Sequence, residues 1–508
     1  MATTAAAPPA AALSQIASAD PGLINDDLAP TPVAQRTWTA WNFAALWMGM
    51  VHSAFGFSVL GGMIAGGMSA WQALFVVLVA NLIQLGLMVM TGRVGARFGI
   101  PYAVWARSTF GTLGANIPAL LRGFVAIGWF GVQSYLGATA VNALLGTAFD
   151  GWRNLDSVIG GVTLNLWIAM VVYWAVNFVV IRHGMETVRR FESWAGPMVF
   201  VVMVPALIWA VDKAGGLGPV FDESSKYDST GNFLLHGFLP GVALFISASW
   251  ATMVLNLPDL TRFAKSNRAQ VRGTVIGLPI ATVVFYLMAA IIVSGTQAAT
   301  GRLLWNPADV LVAIDIPAFT IVGALLIAVA TMSVNVAANV VSPAYDITNL
   351  LPRVFTFKRA ATLAIVLGFV YMPWKLMENP DTLFRVLNNV GAVIGPATGI
   401  MIADFYLVRR GRLDVAELYR RNGRYWAKDG FNLVSITVLA IGTVVCLSGQ
   451  VVDAVDWTYE YAWFVGLALG FLLQLVAVAL VRARRGGTLP PEFEPAGDDG
   501  AEAEEARA

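Results

Sequence analysis

The feature that most constrains this chain is a series of apolar runs of about 20 residues, which recur from Trp41 to Val481. An α-helix of about 20 apolar residues is long enough to cross the hydrocarbon core of a bilayer. Only 12% of the 508 residues are charged and the mean hydropathy is +0.68, whereas soluble domains carry about twice that charged fraction. The sequence therefore predicts an all-α integral membrane protein surrounded by a lipid bilayer.

The apolar runs predict twelve transmembrane helices. The third run is too long for one straight crossing, so we expect it to be tilted or to end in a turn. The spans are expected near residues 41–66, 71–92, 115–146, 161–182, 192–212, 235–257, 271–297, 316–344, 358–375, 382–407, 431–450 and 458–482.

Lys and Arg residues concentrate in the loops after even-numbered spans, as in 262–272 and 409–428, while the alternate loops lean acidic. Because positive loops stay in the cytoplasm, we expect a multi-pass plasma (inner) membrane protein with both termini cytoplasmic. The predicted organisation is a disordered cytoplasmic tail (1–35), a first five-helix unit (36–212), a second (213–410), a cytoplasmic loop with the last two helices (411–483) and a disordered acidic tail (484–508).

Several function classes receive no support from the composition. The net charge of +1 gives no indication of nucleic-acid binding. The single Cys446 excludes an internal disulfide and a multi-thiolate metal site, and the three histidines lie far apart without metal-ligand spacing. No histidine is near Cys446 and no inward carboxylate pair is evident, so we expect neither an enzyme nor a cofactor.

Three spans carry helix-breaking residues. They are the first span with glycines between Gly49 and Gly62, the sixth at Ser247–Trp250, and the tenth at Gly391–Pro396. Any one of these glycine groups is explained as readily by close helix packing. Spans one and six, however, begin the two successive five-helix units, and broken helices at matching positions indicate a binding site near the membrane midplane.

Uncharged polar groups recur at helical spacing late in span eight, within Ala330–Tyr345. Asn335 and Asn339 are four residues apart and therefore share a face, with Ser333 at a similar depth. An amide cluster inside a membrane helix is costly unless it finds partners. We therefore expect this helix to line a substrate cavity.

Spans three and six add aromatic rings and a further amide. Trp129 and Gln133 are four residues apart in span three, and Trp250 follows Ser249 in span six. Two indoles on facing helices could hold a flat heterocycle between them, and the amides of Gln133 and Asn339 match the N–H and C=O groups of an imide or ureide ring. For either tryptophan alone, packing or a lipid-facing position is an equally good explanation.

These residues belong to longer motifs that resemble the first nucleobase:cation symporter family, which includes hydantoin and allantoin permeases and related uracil and purine carriers. The resemblance covers residues 30–430 and implies a leucine-transporter-like fold, with two inverted five-helix repeats and two C-terminal helices. The motifs are ALWMGMVH (45–52), WFGVQ (129–133), WATMVLNLPDLTRF (250–263), SVNVAANVVSPAY (333–345), MPWKL (372–376) and GPATGIMIADFYLVRR (395–410).

By position, the resemblance implies that Trp129 and Trp250 are the paired substrate tryptophans and that Gln133 and Asn339 are the substrate-binding amides. It also implies a backbone contact at Ser249. The amino-acid sequences of these motifs resemble the allantoin and uracil branch of the family more than the cytosine branch.

The resemblance further implies a cation site between the break in span one and span eight, at Gly49, His52, Ala330, Ser333 and Val334. Val334 stands where sodium-coupled relatives have a threonine hydroxyl, and a hard cation loses affinity with each missing oxygen ligand. Both Na+ and H+ therefore stay open as the coupling ion. His52 could carry the proton, although simple packing with one hydrogen bond is the more conservative interpretation.

Asp259 and Arg262 follow span six, and Asp404 and Arg409 end span ten. We expect them near the cytoplasmic interface as gate or anchoring ion pairs, where surface pairs add little stability. The resulting hypothesis is a monomeric secondary active transporter that imports a small nucleobase-like or ureide molecule by alternating access. The alternatives are a carrier of another neutral solute or an amino acid on the same fold, and a passive channel, although the repeated rings that line channel pores are not evident.

Overall fold

The structure, a computed structural model, describes residues 19–182, 200, 203–221, 225–377 and 380–497. This part of the chain is almost entirely helical, and one short antiparallel hairpin, β1 (Val158–Ile159) with β2 (Val162–Thr163), precedes the fourth span. The helices are α1 (Ala40–Val51), α2 (Ala54–Ala65), α3 (Ala70–Phe98), α4 (Tyr102–Phe110), α5 (Asn116–Ala148), α6 (Leu164–Arg182), α7 (203–214), α8 (Leu217–Phe221), α9 (Thr230–Ala248), α10 (Ala251–Asn256), α11 (Pro258–Thr261), α12 (Asn267–Thr300), α13 (Pro307–Ile314), α14 (Pro317–Asn339), α15 (Val341–Leu350), α16 (Phe357–Val370), α17 (Pro373–Met377), α18 (Pro380–Ala403), α19 (Leu433–Ser448), α20 (Trp457–Glu460) and α21 (Ala462–Arg484).

The predicted spans coincide with helices wherever the chain is described. Of the fifth span, 192–212, residue 200 and the residues of helix α7 lie within the described part of the chain. Among those residues seven helices are long and apolar enough to cross a bilayer, or eight if α1 and α2 form one bent span, and α6 and α19 are shorter apolar helices. The all-α membrane class is confirmed, and the count of twelve stays a prediction.

Spans one and six are broken, as predicted. The axes of α1 and α2 differ by 52°, and His52 and Ser53 connect them. In span six, Ser249 and Trp250 separate α9 from α10. The carbonyl of Ile246, near the end of α9, accepts a hydrogen bond of 3.1 Å from the Gln84 side chain of α3, which satisfies a backbone group that the break leaves free.

Span ten is not interrupted, so this part of the prediction was wrong. Helix α18 continues through Pro396, and its glycines allow contact with α21. A Cβ atom on Gly395 would lie 2.6 Å from the carbonyl oxygen of Trp463, and one on Gly399 would lie 2.1 Å from that of Leu467. Close backbone approach is the packing role of glycine in membrane helices.

Span three is one continuous 33-residue helix, α5, which packs along α14. Two hydrogen bonds join them in the buried interior. The Asn335 amide nitrogen of α14 donates to the Phe130 carbonyl (3.1 Å) and to the Ser134 hydroxyl (2.8 Å) of α5. Helix α12 instead packs against α1, α2 and α3. The helices around the centre thus form two groups, one built on α5 and α14 and the other on α12.

Residues Asp20–Trp38 form a segment of turns with one short 3-10 helix, Val33–Gln35. This segment is here called the N-terminal strap, and the side of the protein that carries it is called the strap face. Leu28 of the strap is buried, and Asn25 donates to the carbonyls of Pro352 and Phe355 at 3.1 and 3.0 Å. The prediction of a disordered tail was therefore wrong for residues 19–35, because a few apolar side chains and backbone carbonyls find partners in distant loops. Residues 1–18 lie outside the described residues.

The described part of the predicted C-terminal tail is also packed. Phe493 is fully buried, and Arg424 donates to the Pro495 carbonyl at 2.8 Å. The prediction of disorder was wrong for these residues, while 498–508 lie outside the described part of the chain.

The expected interfacial ion pairs are buried instead. Asp404 and Arg409 form a salt bridge of 2.7 Å in which both side chains are fully buried. Asp259 and Arg262 do not pair with each other among the described residues. Asp259 accepts from the backbone N–H of Tyr102 at 2.7 Å, whereas Arg262 donates to the N-terminal strap, including a 2.7 Å bond to the hydroxyl of Thr31. A gating role for Asp259 and Arg262 stays a prediction.

Candidate substrate-binding site

One cavity lies between the two groups of helices, beside both breaks. It is partly open, with about 520 Å³ of space between atoms when adjoining solvent is included, and is here called the central cavity. All five residues predicted to bind substrate lie in its wall, although they come from three spans far apart in the sequence. They are Trp129, Gln133, Ser249, Trp250 and Asn339.

The two tryptophans are held by other aromatic rings. Trp129 packs against Phe55 of α2 with 4.6 Å between ring centroids and a tilt of 58°. Trp250 meets Trp47 edge-on at 5.7 Å, and its indole N–H donates to the Asn81 side-chain oxygen at 3.1 Å. The Trp250 ring is therefore fixed in position by the protein itself, which reduces the entropy lost when a ligand packs against it.

The orientation of the Asn339 amide follows from a chain of hydrogen bonds. The Phe130 carbonyl can only accept, so the group of Asn335 that faces it must be the NH2. The Asn335 oxygen then accepts from the Asn339 NH2 at 3.0 Å. Asn339 is left with its oxygen free of protein partners among the described residues. It therefore presents an acceptor to a ligand N–H group.

Gln133 provides the second amide. Its side chain is 5% exposed, and its oxygen Oε1 has no hydrogen-bond partner among the described residues. A buried polar atom without a partner costs about 1–3 kcal/mol. A ligand that donates a hydrogen bond to this oxygen would remove that cost.

Ser249 has its side chain already engaged. The hydroxyl lies 2.6 Å from the Phe245 carbonyl and 3.2 Å from Oε1 of Gln84. What Ser249 can offer a ligand is its backbone at the break in span six. A substrate contact through that backbone stays a prediction.

Three aromatic residues of the central cavity were not identified from the sequence, Phe55, Phe245 and Tyr286. Phe55 follows the break in span one by two residues, but an apolar phenylalanine in an apolar helix carries no local signal. Tyr286 is different, because it places a phenolic hydroxyl in the middle of the apolar helix α12. Together with Thr282, four residues earlier, it forms a polar stripe that could have indicated an inward face.

The five predicted cation-site residues do not line one common cavity. His52 and Ala330 line a second cavity of about 560 Å³, the apolar cavity, whereas Val334 lines the central cavity. Gly49 and Ser333 are buried and line neither. Because successive residues of an α-helix point about 100° apart, the neighbours Ser333 and Val334 face different sides of α14.

His52 is surrounded by aromatic rings. It meets Phe200 edge-on at 4.3 Å and Phe285 edge-on at 5.3 Å between ring centroids. Groups of three or more His, Cys, Asp or Glu residues with metal-binding geometry do not occur among the described residues.

Comparison with known proteins finds matches over nearly the whole chain. The family described as permeases for cytosine/purines, uracil, thiamine and allantoin matches residues 30–466. The allantoin permease of Bacillus subtilis (strain 168) is 40% identical over 456 residues, which cover 89% of this chain and 93% of that protein.

Two solved structures are similar to this one. They are Mhp1, a nucleobase-cation-symport-1 family transporter, in a closed conformation with bromovinylhydantoin bound (26% identity, 96% of this chain and 100% of that chain, TM-score 0.76) and Mhp1 in an inward-facing conformation (27% identity, 95% and 98%, TM-score 0.76). The match confirms the predicted fold of leucine-transporter type.

Proposed function

This chain belongs to the family of permeases for cytosine/purines, uracil, thiamine and allantoin, and on that premise we propose that it imports a planar ureide or nucleobase-like ring in symport with a cation. Allantoin, hydantoin and uracil are the candidate substrates, because relatives transport or bind rings of this kind. The chain is a transporter, and a counterflow assay would identify its substrate.

The observation that carries the proposal is the set of unsatisfied amide groups between aromatic rings. Asn339 presents an oxygen with a fixed orientation, and Gln133 presents an oxygen without a partner. Allantoin, hydantoin and uracil each contain N–H groups next to carbonyls, so they can donate to these oxygens and accept from the remaining amide hydrogens. Trp129 and Trp250 supply the apolar faces against which a flat ring can stack.

Alternating access is supported by the arrangement of the helices. The group built on α12 includes the broken helix α1–α2, while α5 packs with α14, α15 and α16. The central cavity lies between these two groups, so a rotation of one against the other would open it to either side of the membrane. The repeats 36–212 and 213–410 would supply matching elements to both groups.

The coupling ion is Na+ or H+ in this proposal, and its site is the break between α1 and α2 where α1 packs against α14. Val334 carries no hydroxyl and faces the central cavity, so a sodium ion would depend on backbone carbonyls and the Ser333 hydroxyl. A proton could be carried by His52 at the same break. Transport driven by a sodium gradient or by a pH gradient at zero membrane potential distinguishes the two.

Basic residues on the strap face, including Arg97, Arg262 and Arg409, support the proposal that this face is cytoplasmic in a plasma (inner) membrane protein. Both termini would then be cytoplasmic. The site is complete within one chain, so a monomer would suffice for transport.

The test is counterflow in proteoliposomes. Purified protein is reconstituted in vesicles loaded with unlabelled allantoin, hydantoin, uracil, cytosine or an amino acid, and the entry of a trace of the labelled compound is followed without an ion gradient. A carrier transiently accumulates label above the external concentration, whereas a passive channel does not. Accumulation with a ureide or nucleobase, lost in Trp129→Ala, is the expected result. Accumulation with an amino acid alone would contradict the proposal.

A further inference from the structure

Tyr286 of α12 places a hydroxyl group in the central cavity that the packing of the protein does not require. Its ring is held edge-on between Phe245 at 5.5 Å and Phe285 at 5.0 Å. The side chain is 3% exposed and lines the cavity, and its hydroxyl makes no hydrogen bond to any residue in the described part of the chain. A phenylalanine would make the same ring contacts. The hydroxyl is therefore available to a ligand.

The backbone of α2 makes room for this hydroxyl. A Cβ atom on Gly56 would lie 2.5 Å from the hydroxyl oxygen of Tyr286 and 3.4 Å from its ring carbon Cζ. Alanine would favour a helix by about 1 kcal/mol relative to glycine, but its methyl group would displace the hydroxyl. Gly56 lies just beyond the break between α1 and α2, so this part of the cavity wall is shaped around the hydroxyl.

The hydroxyl and the amides belong to different groups of helices. Gln133 and Asn339 belong to α5 and α14, which pack together, whereas Tyr286 belongs to α12, which packs with α1, α2 and α3. Phe55, the neighbour of Gly56, reaches across to Trp129. A ring whose N–H and C=O edge bonds the two amides therefore directs its other edge toward Tyr286. In hydantoin that edge carries only hydrogen at C5, while in allantoin C5 carries a ureido group.

We infer that Tyr286 determines substrate specificity, because its hydroxyl hydrogen-bonds a polar substituent on the ring edge opposite the amides. The site then prefers ureides with such a substituent, such as allantoin, to the same ring without it. This inference rests on the proposed function and adds a second, independent point of recognition to it. A neutral hydrogen bond of this kind contributes about 0.5–1.5 kcal/mol, which corresponds to an affinity change of about 2- to 12-fold.

The experiment compares allantoin with hydantoin, two ligands that share one ring. Their dissociation constants are measured by isothermal titration calorimetry for the purified wild-type protein and for Tyr286→Phe. The variant is expected to bind allantoin about 3- to 10-fold more weakly and hydantoin within 2-fold of wild type. An equal change for both ligands, or no change for either, would overturn the inference. Thermal stability close to wild type shows that the variant is folded.

A double-mutant cycle with Gly56 tests the contact itself. Gly56→Ala alone is expected to weaken allantoin binding at least as much as Tyr286→Phe. In the Tyr286→Phe background the same substitution should cost less, because the hydroxyl that it displaces is absent, and the remaining tight neighbour is Oγ of Ser53 at 3.1 Å. Gly62→Ala is the matched control in the same helix, since a Cβ atom there meets nothing within 4 Å. Additive losses for Gly56→Ala and Tyr286→Phe would contradict the assignment.

The two proposals fail in different ways. If the wild-type protein binds none of allantoin, hydantoin and uracil, the proposed function is wrong. If it binds these rings but the ratio of allantoin to hydantoin affinity is the same in Tyr286→Phe, only the role of Tyr286 is wrong.

Discussion

The central cavity and the strap face use buried polar groups in opposite ways. In the cavity, Gln133 has an oxygen without a partner and Asn339 an oxygen free for a ligand. On the strap face, Arg262 donates from all three of its nitrogens to residues of the N-terminal strap, and Arg409 is bridged to Asp404. Buried atoms without a partner also occur near the strap face, such as Nη1 of Arg409 and Oδ1 of Asp404 among the described residues. The difference is that the cavity oxygens border a space that a ligand can enter, while the arginine bonds join distant segments of the chain.

The hydrogen bonds of the strap face also affect how the protein can change conformation. Arg262 follows span six, whose break borders the cavity, and the strap that it holds also bonds the loop before α16 through Asn25. If the strap face is cytoplasmic, opening the cavity toward that side must loosen some of these bonds. The strap face would then stabilise the conformation in which it is closed.

The largest expected effect is on the strap face. Asp404→Ala leaves the fully buried Arg409 without its carboxylate and removes the acceptor of the Thr109 hydroxyl. Breaking one partner of a buried ion pair costs about 3–5 kcal/mol, so we expect a strong fall in thermal stability in detergent. Asp404→Asn, which keeps an oxygen for Thr109, should lose less. Ligand affinity of the folded fraction is expected to stay unchanged, and a selective loss of affinity would place this pair in the transport site instead.

The cavity amides should show the reverse pattern. Gln133→Ala and Asn339→Ala are each expected to abolish measurable binding, with losses of about 100-fold or more, because a site built to bond a polar edge strongly rejects a mismatch. Stability should barely change for Gln133→Ala, because the oxygen that it removes has no partner among the described residues. Asn339→Ala should cost about 1–3 kcal/mol, because it leaves the buried Asn335 oxygen without its donor. Gln474→Ala is the control, because that amide is also fully buried with an oxygen that has no partner among the described residues, but it lies outside the cavity lining and donates to Ser435 at 3.0 Å. It should lower stability and spare binding. Normal transport by both cavity variants would show that the site is assigned wrongly.

Asn335 has both roles, because it joins two helices and also positions an amide of the cavity. Its substitution therefore tests whether stability and ligand binding change together. It bonds α5 on one side and orients Asn339 on the other. Asn335→Ala is expected to weaken ligand binding about 10-fold without a direct contact, because Asn339 could then rotate. It should also reduce stability by about 1–3 kcal/mol through the loss of bonds to the Phe130 carbonyl and Ser134. Calorimetry and thermal unfolding measure the two effects separately, and an unchanged affinity would argue that Asn339 is oriented by other contacts.

The smallest effect is expected at the exposed end of the strap. Asp20 bonds the backbone N–H of Gly22 and the half-exposed side chain of Arg421 at 2.9 Å, and these contacts hold the pKa of Asp20 below its ordinary value. Asp20→Asn should lower stability by less than about 1 kcal/mol. Since the pKa is lowered in the folded protein, the contribution of Asp20 is present at neutral pH and is lost as the pH falls through its lowered pKa. A stability difference between wild type and Asp20→Asn that persists at pH 2 would contradict this account.

Much of the site could be predicted because it depends on local patterns. The pair Trp129 and Gln133 and the pair Asn335 and Asn339 lie at helical spacing, and the break at Ser249 and Trp250 is visible in the composition of span six. Motif similarity then placed these residues in one family site. The structure brings the five substrate residues to one cavity, although what they bind is still a proposal.

The wrong predictions share one cause. The glycines of span ten could be read as a break or as a packing surface, and only contact with α21 decides between them. The apolar residues of the strap, such as Leu28, look sparse beside a transmembrane helix, so a tail was predicted. Asp404 and Arg409 lie next to a basic loop, which suggested exposure, whereas the Glu492 carbonyl of the C-terminal segment covers them.

By itself, the sequence determined the membrane class, the positions of the spans, the two broken helices and the residue types that line the proposed substrate site. Length, hydropathy and helical spacing report on each helix alone, and these properties follow from them. The tertiary structure alone decided that Val334 faces the cavity, that the Tyr286 hydroxyl lies beside Gly56 without a partner among the described residues, and that Arg262 binds the strap. Whether a polar group is satisfied depends on atoms from segments more than 200 residues away, as with Arg262 and Thr31, and no local pattern encodes such a contact.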